Sequence, residues 1–162
     1  MIQKKIIFVC LGNICRSPLA EAIFISKAKE KKVLQYFEVD SCGTSNYQIG
    51  DTPDSRTVAN ATKNGITMNH IARQLQEQDL DYFDLIVAMD KMNQRDILRL
   101  ARNEYHRNKI ILMRDFDSIG KGQDVPDPYH GSASDFQEVF EILDRAMEFF
   151  IQDVEKSITL KK

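Results

Sequence analysis

Residues Val9-Cys10-Leu11-Gly12-Asn13-Ile14-Cys15-Arg16-Ser17-Pro18 constrain this chain more than any other stretch. They follow an apolar run, Ile6-Ile7-Phe8-Val9, that reads as a buried strand, and they precede a helical pattern opened by Ser17 and Pro18. A loop held between a strand and a helix start presents unpaired backbone N–H groups at the positive end of the helix macrodipole, which makes it a cradle for an anion. Gly12 lets the backbone come close to a ligand, and Asn13 tolerates the left-handed conformation that turns successive N–H groups inward. Cys10 opens the cradle as a candidate nucleophile, and Arg16 closes it as a planar fork matched to phosphate oxygens. The thiolate is the reactive form of cysteine, and helix N-termini and nearby cations favour it. The helix start, the loop N–H groups, Arg16 and the Ser17 hydroxyl all act in that direction, so the stretch predicts a sulfur anion poised to attack phosphorus.

Length and charge narrow the alternatives. At 162 residues the chain is expected to form one domain over 1–162, and a net charge of −2 gives no basic field for nucleic acid or an anionic membrane. Phosphate binding must therefore be local. The apolar run after Met1-Ile2-Gln3-Lys4-Lys5 is too short for a signal peptide or a bilayer span, so the chain reads as cytoplasmic. Three cysteines (Cys10, Cys15 and Cys42) without a Cys-x-x-Cys pair argue against a disulfide scaffold or zinc site, and the scattered His70, His106 and His130 suggest no metal cluster. No metal and no cofactor are expected.

Along the chain, Leu19, Ala20, Ile23, Phe24 and Ala28 recur at helical spacing. Phe37–Ser41 predicts a second strand, and Gly43–Asp54 a loop rich in turn formers. A helix then covers Asp54–Asn64 and stops at Gly65. Asp84–Met89 and Lys109–Met113 predict two further strands, with a helix through Leu98 and Leu100 between them. A long loop from Arg114 to Gly131 leads to a last helix, where Ser134 and Gln137 suggest a capping box and Val139, Phe140, Leu143, Met147, Phe150 and Val154 form the apolar stripe. Short continuous apolar strands alternating with helices predict an α/β three-layer sandwich, a parallel sheet covered by helices on both faces. In such a sheet the loops after Val9, Ser41, Met89 and Met113 meet at one edge. A thiolate that attacks a phosphate ester must expel an oxygen that needs a proton. Asp127-Pro128-Tyr129-His130 offers an acid on such a loop, with Asp124 as the second candidate.

The segment Cys-Leu-Gly-Asn-Ile-Cys-Arg-Ser-Pro at positions 10–18, followed late in the chain by Asp-Pro-Tyr at 127–129, resembles the two signatures of the low-molecular-weight protein tyrosine phosphatases. The resemblance implies a four-stranded parallel sheet in order 2-1-3-4 with the phosphate-binding loop after strand 1. It implies hydrolysis of protein phosphotyrosine and aryl phosphates through a phosphocysteine, with Cys10 as nucleophile, Arg16 as phosphate ligand and Asp127 as acid and base. The loop would be formed by Leu11, Gly12, Asn13, Ile14, Cys15 and Ser17, with Ser17 stabilising the thiolate. Ser41 and His70 would hold the strained Asn13, and Asp90 would organise its own loop. Leu11, Tyr47 and Tyr129 would wall the pocket, with His130 where some members carry a second aromatic. Cys15, five residues after the nucleophile, is a candidate redox partner.

Implied partners are a tyrosine-phosphorylated protein, a tyrosine kinase, and inorganic phosphate or other oxyanions as product or inhibitor. Arsenate reductases share this loop but use two later cysteines, and none follows Cys42. Protein arginine phosphatases carry Thr where Ile14 stands. A non-catalytic phosphate-binding module would not need Cys10, Arg16 and Asp127 together.

Overall fold

The structure, a computed structural model, describes residues 1–158. Strand β1 (Lys4–Cys10) lies at the centre. It pairs in parallel with β2 (Phe37–Gly43) on one side and β3 (Leu85–Ala88) on the other, and β4 (Ile110–Leu112) extends β3, giving the order β2-β1-β3-β4. The apolar run of β1 has no polar face because both of its faces are covered. Ile6, Phe8 and Cys10 enter one core, and Ile7 and Val9 enter the other.

Helices α1 (Arg16–Glu30), α2 (Ser55–Lys63) and α6 (Ala133–Glu155) cover the first face. There the Phe8, Phe24 and Phe150 rings meet edge-on or tilted with centroids 5.8–6.2 Å apart, each fully buried. The second face is covered by the one-turn α3 (Asp79–Tyr82) and by α4 (Lys91–Leu98), which bring Leu80 and Ile97 onto Ile7, Val9 and Ile86. The one-turn α5 (Glu104–Arg107) precedes β4. No helix of the described residues is long and apolar enough to cross a membrane.

Several local expectations shift. The last helix starts earlier than Ser134, at Ala133 with Ser132 as its cap, and the reciprocal partner is Asp135, whose carboxylate accepts the Ser132 backbone N–H at 2.7 Å. A carboxylate satisfies a helix start better than an amide because it also answers the macrodipole. Gln137 instead turns across to α2, where it accepts hydrogen bonds from Asn60 and Asn64. The Arg114–Gly131 loop is not structureless: it begins in a 3-10 turn, Met113–Phe116. The Arg114 guanidinium ties it together by donating to Asp117 and to the Asp124 carbonyl. β2 runs two residues past Ser41, whereas β3 and β4 are shorter than their apolar runs.

The carboxyl ends of the strands are laced together by backbone bonds. Thr44 N–H donates to the Cys10 carbonyl, Met89 N–H to that of Val9, and Val125 N–H to that of Met89, each at 2.9 Å. This lacing brings residues far apart in sequence to one edge.

Candidate active site

The loop between β1 and α1 is built on Asn13, one of two non-glycine residues with positive φ (59°) among the described residues. Its side chain supports that conformation through four hydrogen bonds. Nδ2 donates to Ser17 Oγ (2.8 Å) and Ser41 Oγ (3.0 Å), while Oδ1 accepts from the Arg73 backbone N–H (3.1 Å) and lies 2.7 Å from His70 Nε2. With its backbone so turned, Asn13 donates its own N–H to Cys10 Sγ at 3.2 Å. Ser17 Oγ lies 3.0 Å from the same sulfur. Helix α1 begins at Arg16, with Cys15 in the cap position and no side-chain cap. An uncapped helix start beside this sulfur is open to an anion.

Arg16 is 3% exposed. Its Nη1 donates to Asp90 Oδ2 (2.6 Å) and to the Val125 carbonyl (2.9 Å), and Nη2 faces Asp127 Oδ2 at 3.7 Å. Burial alone would disfavour its charge, but the Cys10 sulfur, Asp90 and Asp127 outweigh burial and hold the guanidinium above its usual pKa. Asp90 therefore reaches beyond its own loop. One oxygen caps α4 by accepting the Asn93 N–H at 2.7 Å, and the other orients Arg16.

Cys10, Arg16 and Asp127 line one cavity of about 190 Å³. Leu11, Gly12, Ile14 and Cys15 line it from the loop, and Tyr47, Tyr129 and His130 from the rim. Tyr129 and His130 meet edge to face with centroids 5.0 Å apart. Ser45 and Gln48 also line it, and no motif in the sequence singled them out. Asp124 lies elsewhere, its carboxylate accepting the Lys91 N–H at the start of α4. The arrangement offers a sulfur at the floor, a fixed cation at the side, a carboxyl at the mouth and aromatic walls.

Residues 5–160 match the family model described as "Low molecular weight phosphotyrosine protein phosphatase". The chain belongs to this family. A phosphatase of that description from Gallus gallus is 43% identical over 150 residues, covering 92% of this chain and 94% of its own. One from Schizosaccharomyces pombe is 40% identical over 147 residues, covering 90% and 94%. The crystal structure of a protein tyrosine phosphatase from Entamoeba histolytica, with Hepes in its active site, superimposes with a TM-score of 0.92 at 37% identity. It covers 96% of this chain and 99% of that one.

Behind the phosphatase loop lies a half-buried polar cluster of which the sequence pattern points to only half. Because Asn13 Oδ1 accepts a backbone N–H, the close His70 Nε2 must donate to it, and this leaves the His70 Nδ1 lone pair facing Glu21 Oε1 at 3.3 Å. A proton has to occupy that gap. Burial pushes Glu21 up to about 7, against the lowering effect of its hydrogen bond from Ser41 (2.7 Å), and burial pushes His70 down. Both shifts favour placing that proton on the glutamic acid in the acid range below pH 7.

Glu21, Asp40 and His70 bring three ligating atoms within 4.8 Å, a grouping invisible in the spacing of the histidines. Asp40 is already committed, accepting from the Ser41 N–H and from Arg73 Nε. The signal for Arg73 was present in the segment His70-Ile71-Ala72-Arg73-Gln74, but its contribution is a backbone N–H, which no side-chain pattern reveals. Cys42 is fully buried against the other core, its thiol pushed up by burial.

Proposed function

We propose that this phosphatase hydrolyses protein phosphotyrosine and small aryl phosphates in two steps. In the first, the Cys10 thiolate attacks phosphorus in line, an S–P bond forms as the P–O bond to the phenol breaks, and Asp127 donates its proton to the departing oxygen. Arg16 and the loop N–H groups hold the equatorial oxygens as charge develops. In the second, the Asp127 carboxylate takes a proton from water, the water oxygen attacks phosphorus, and the sulfur leaves as thiolate beside Ser17 Oγ and Asn13 N–H. Inorganic phosphate is the product, and it and other tetrahedral oxyanions are expected to inhibit competitively.

The observation that carries this reading is the floor of the cavity, where Cys10 Sγ receives the Asn13 N–H while Arg16 and Asp127 face each other above it. Ile14, Tyr47 and Tyr129 offer apolar surface to an aryl ring, and they favour phosphotyrosine over phosphoarginine. Three free cysteines suit a reducing compartment, which supports a cytoplasmic location.

Hydrolysis of para-nitrophenyl phosphate tests the reading directly. Cys10→Ser is expected to abolish turnover, and Asp127→Ala to slow phosphotyrosine hydrolysis by about 10²–10⁴. An active Cys10→Ser variant excludes the nucleophile. Faster turnover of phosphoarginine than of phosphotyrosine, or arsenate reduction, would replace the substrate assignment. The same two variants, used to trap phosphoproteins from a lysate, identify the substrate and decide whether a tyrosine kinase is among its partners.

A further inference from the structure

Arg56 lies outside the phosphate loop and outside the cavity lining, yet it stands between the elements that must cooperate there. Its guanidinium is clamped by Asp54, with Nε 3.0 Å from Oδ1 and Nη2 2.8 Å from Oδ2. It lies over the Tyr129 ring at 5.3 Å from the centroid and over the Phe136 ring at 4.7 Å. Asp54 is tied to the phosphate loop, because its backbone N–H donates to the Ile14 carbonyl at 2.8 Å. Tyr129 is tied to the acid, because its backbone N–H donates to Asp127 Oδ1 at 3.1 Å. Phe136 is buried in the first turns of α6.

Rotation of Asp127 out of line with the leaving oxygen would cost catalysis, since a proton donor must sit within hydrogen-bond reach of the atom it serves. Asp127 itself is exposed, and although Pro126 and Pro128 restrict the backbone on either side of it, they do not hold its side chain. The loop is held at Val125 by Arg16 and the Met89 carbonyl, and beyond Asp127 the Tyr129 ring rests against a cation oriented by its bidentate bond to a helix cap.

We infer that Arg56 is a positioning residue for the proton transfer: it registers the Asp127-Pro128-Tyr129 loop against the phosphate loop through Tyr129 on one side and Asp54–Ile14 on the other. This rests on Asp127 as the acid. The path from Arg56 to the reacting atoms runs through Tyr129 and its bond to Asp127, with Arg56 itself outside the substrate cavity. Its removal therefore affects the proton donor more than phosphate binding.

The test uses leaving groups of differing basicity on the full chain. A variant whose proton donor is misplaced loses most on poor leaving groups, which need the proton, and least on good ones, which leave without it. Arg56→Gln is expected to lower kcat/KM on phenyl phosphate by about 3–20-fold, the equivalent of two modest cation–π contacts. On 2,4-dinitrophenyl phosphate the loss should stay below about 2-fold, with competitive inhibition by inorganic phosphate unchanged. Arg56→Lys, which keeps a cation beside Asp54, is expected to recover part of the loss. An equal loss on both substrates with weakened phosphate inhibition would make Arg56 part of the scaffold and overturn the inference, as would no loss at all. Asp127→Asn is the reference. If it too shows no dependence on the leaving group, the acid assignment itself falls and takes this inference with it; if it shows the dependence and both Arg56 variants do not, only the inference falls.

Discussion

Asn13 carries more of the site than its size suggests. A non-glycine residue at φ 59° stores strain of order 1–3 kcal/mol, and the surrounding hydrogen bonds must exceed it. Alanine at this position keeps the strain and loses every side-chain bond to Ser17, Ser41, His70 and Arg73. The loop would then relax, and its N–H would leave the Cys10 sulfur. Asn13→Ala is expected to lower kcat/KM on para-nitrophenyl phosphate by about 10–100-fold with the far-ultraviolet circular dichroism intact, the scale of a misplaced donor at a developing anion.

Cys15 is the second residue with a consequence at this scale. Burial pushes its thiol up to about 12, with only partial relief from the nearby Thr57 hydroxyl, so it is protonated at neutral pH. We propose that peroxide converts Cys10 to a sulfenic acid, which condenses with the Cys15 sulfur to a disulfide as water leaves. The attacking form is the Cys15 thiolate, so closure should quicken with rising pH between 7 and 10. Mass spectrometry of the oxidised chain checks the bond. Wild-type activity should return with dithiothreitol, and a Cys15→Ser variant should stay inactive after excess peroxide.

Among the elements, the connection from β2 to the phosphate loop depends on Gly43. A Cβ there would sit 2.6 Å from the Leu11 carbonyl oxygen. Gly43→Ala must push the loop away from β2, and about 1–3 kcal/mol of stability should be lost with it, as for other overpacked sites, by urea titration. Asp90 has an analogous double duty at the start of α4. Asp90→Asn keeps an oxygen for the Asn93 N–H but loses the charge that holds Arg16, so it should weaken inhibition by inorganic phosphate several-fold while α4 survives.

These cases mark what was legible in the chain. β1 and its loop were visible because an apolar run, a glycine and a helix opening lie within fifteen residues of one another. The stripe of α6 was visible because its period repeats over more than four turns, from Val139 to Val154. The pairing of Arg16 with Asp90 spans 74 residues, and the support of Asn13 by the Arg73 backbone spans 60. No local pattern encodes either, since the sheet edge alone brings them together. The cap of α6 was misplaced by two residues because Ser132 and Ser134 both precede a side chain able to reach back, and only the fold shows that Gln137 is needed on α2.

At the scale of the whole molecule, two carboxyl groups, one buried and one half-buried, pull stability in opposite directions with pH. Asp117 has a fully buried carboxylate held by Arg145 and Arg114, and those bonds keep it well below the usual carboxylate range. A depressed folded pKa stabilises the fold above the unfolded value of about 3.8, and that stability is lost as pH falls below it. Glu21 behaves in the reverse sense. Its folded pKa, raised to about 7 from an ordinary 4.5, favours the fold below pH 4.5, and this advantage disappears as pH rises through 7. A tenfold difference in proton affinity between folded and unfolded chains is worth about 1.4 kcal/mol, and the group keeps some contact with water. The change attributable to Glu21 is therefore about 2–3 kcal/mol between pH 4.5 and 8. The curve of unfolding free energy against pH should peak near pH 4, between the two limbs. Glu21→Gln removes the titration and keeps an uncharged side chain of the same shape whose oxygen can still accept from Ser41. Urea titrations at pH 5 and pH 8 should show the variant less sensitive than wild type on the alkaline side and unchanged on the acid side. A parallel fall of both curves between those pH values would mean that the proton between Glu21 and His70 does not titrate there.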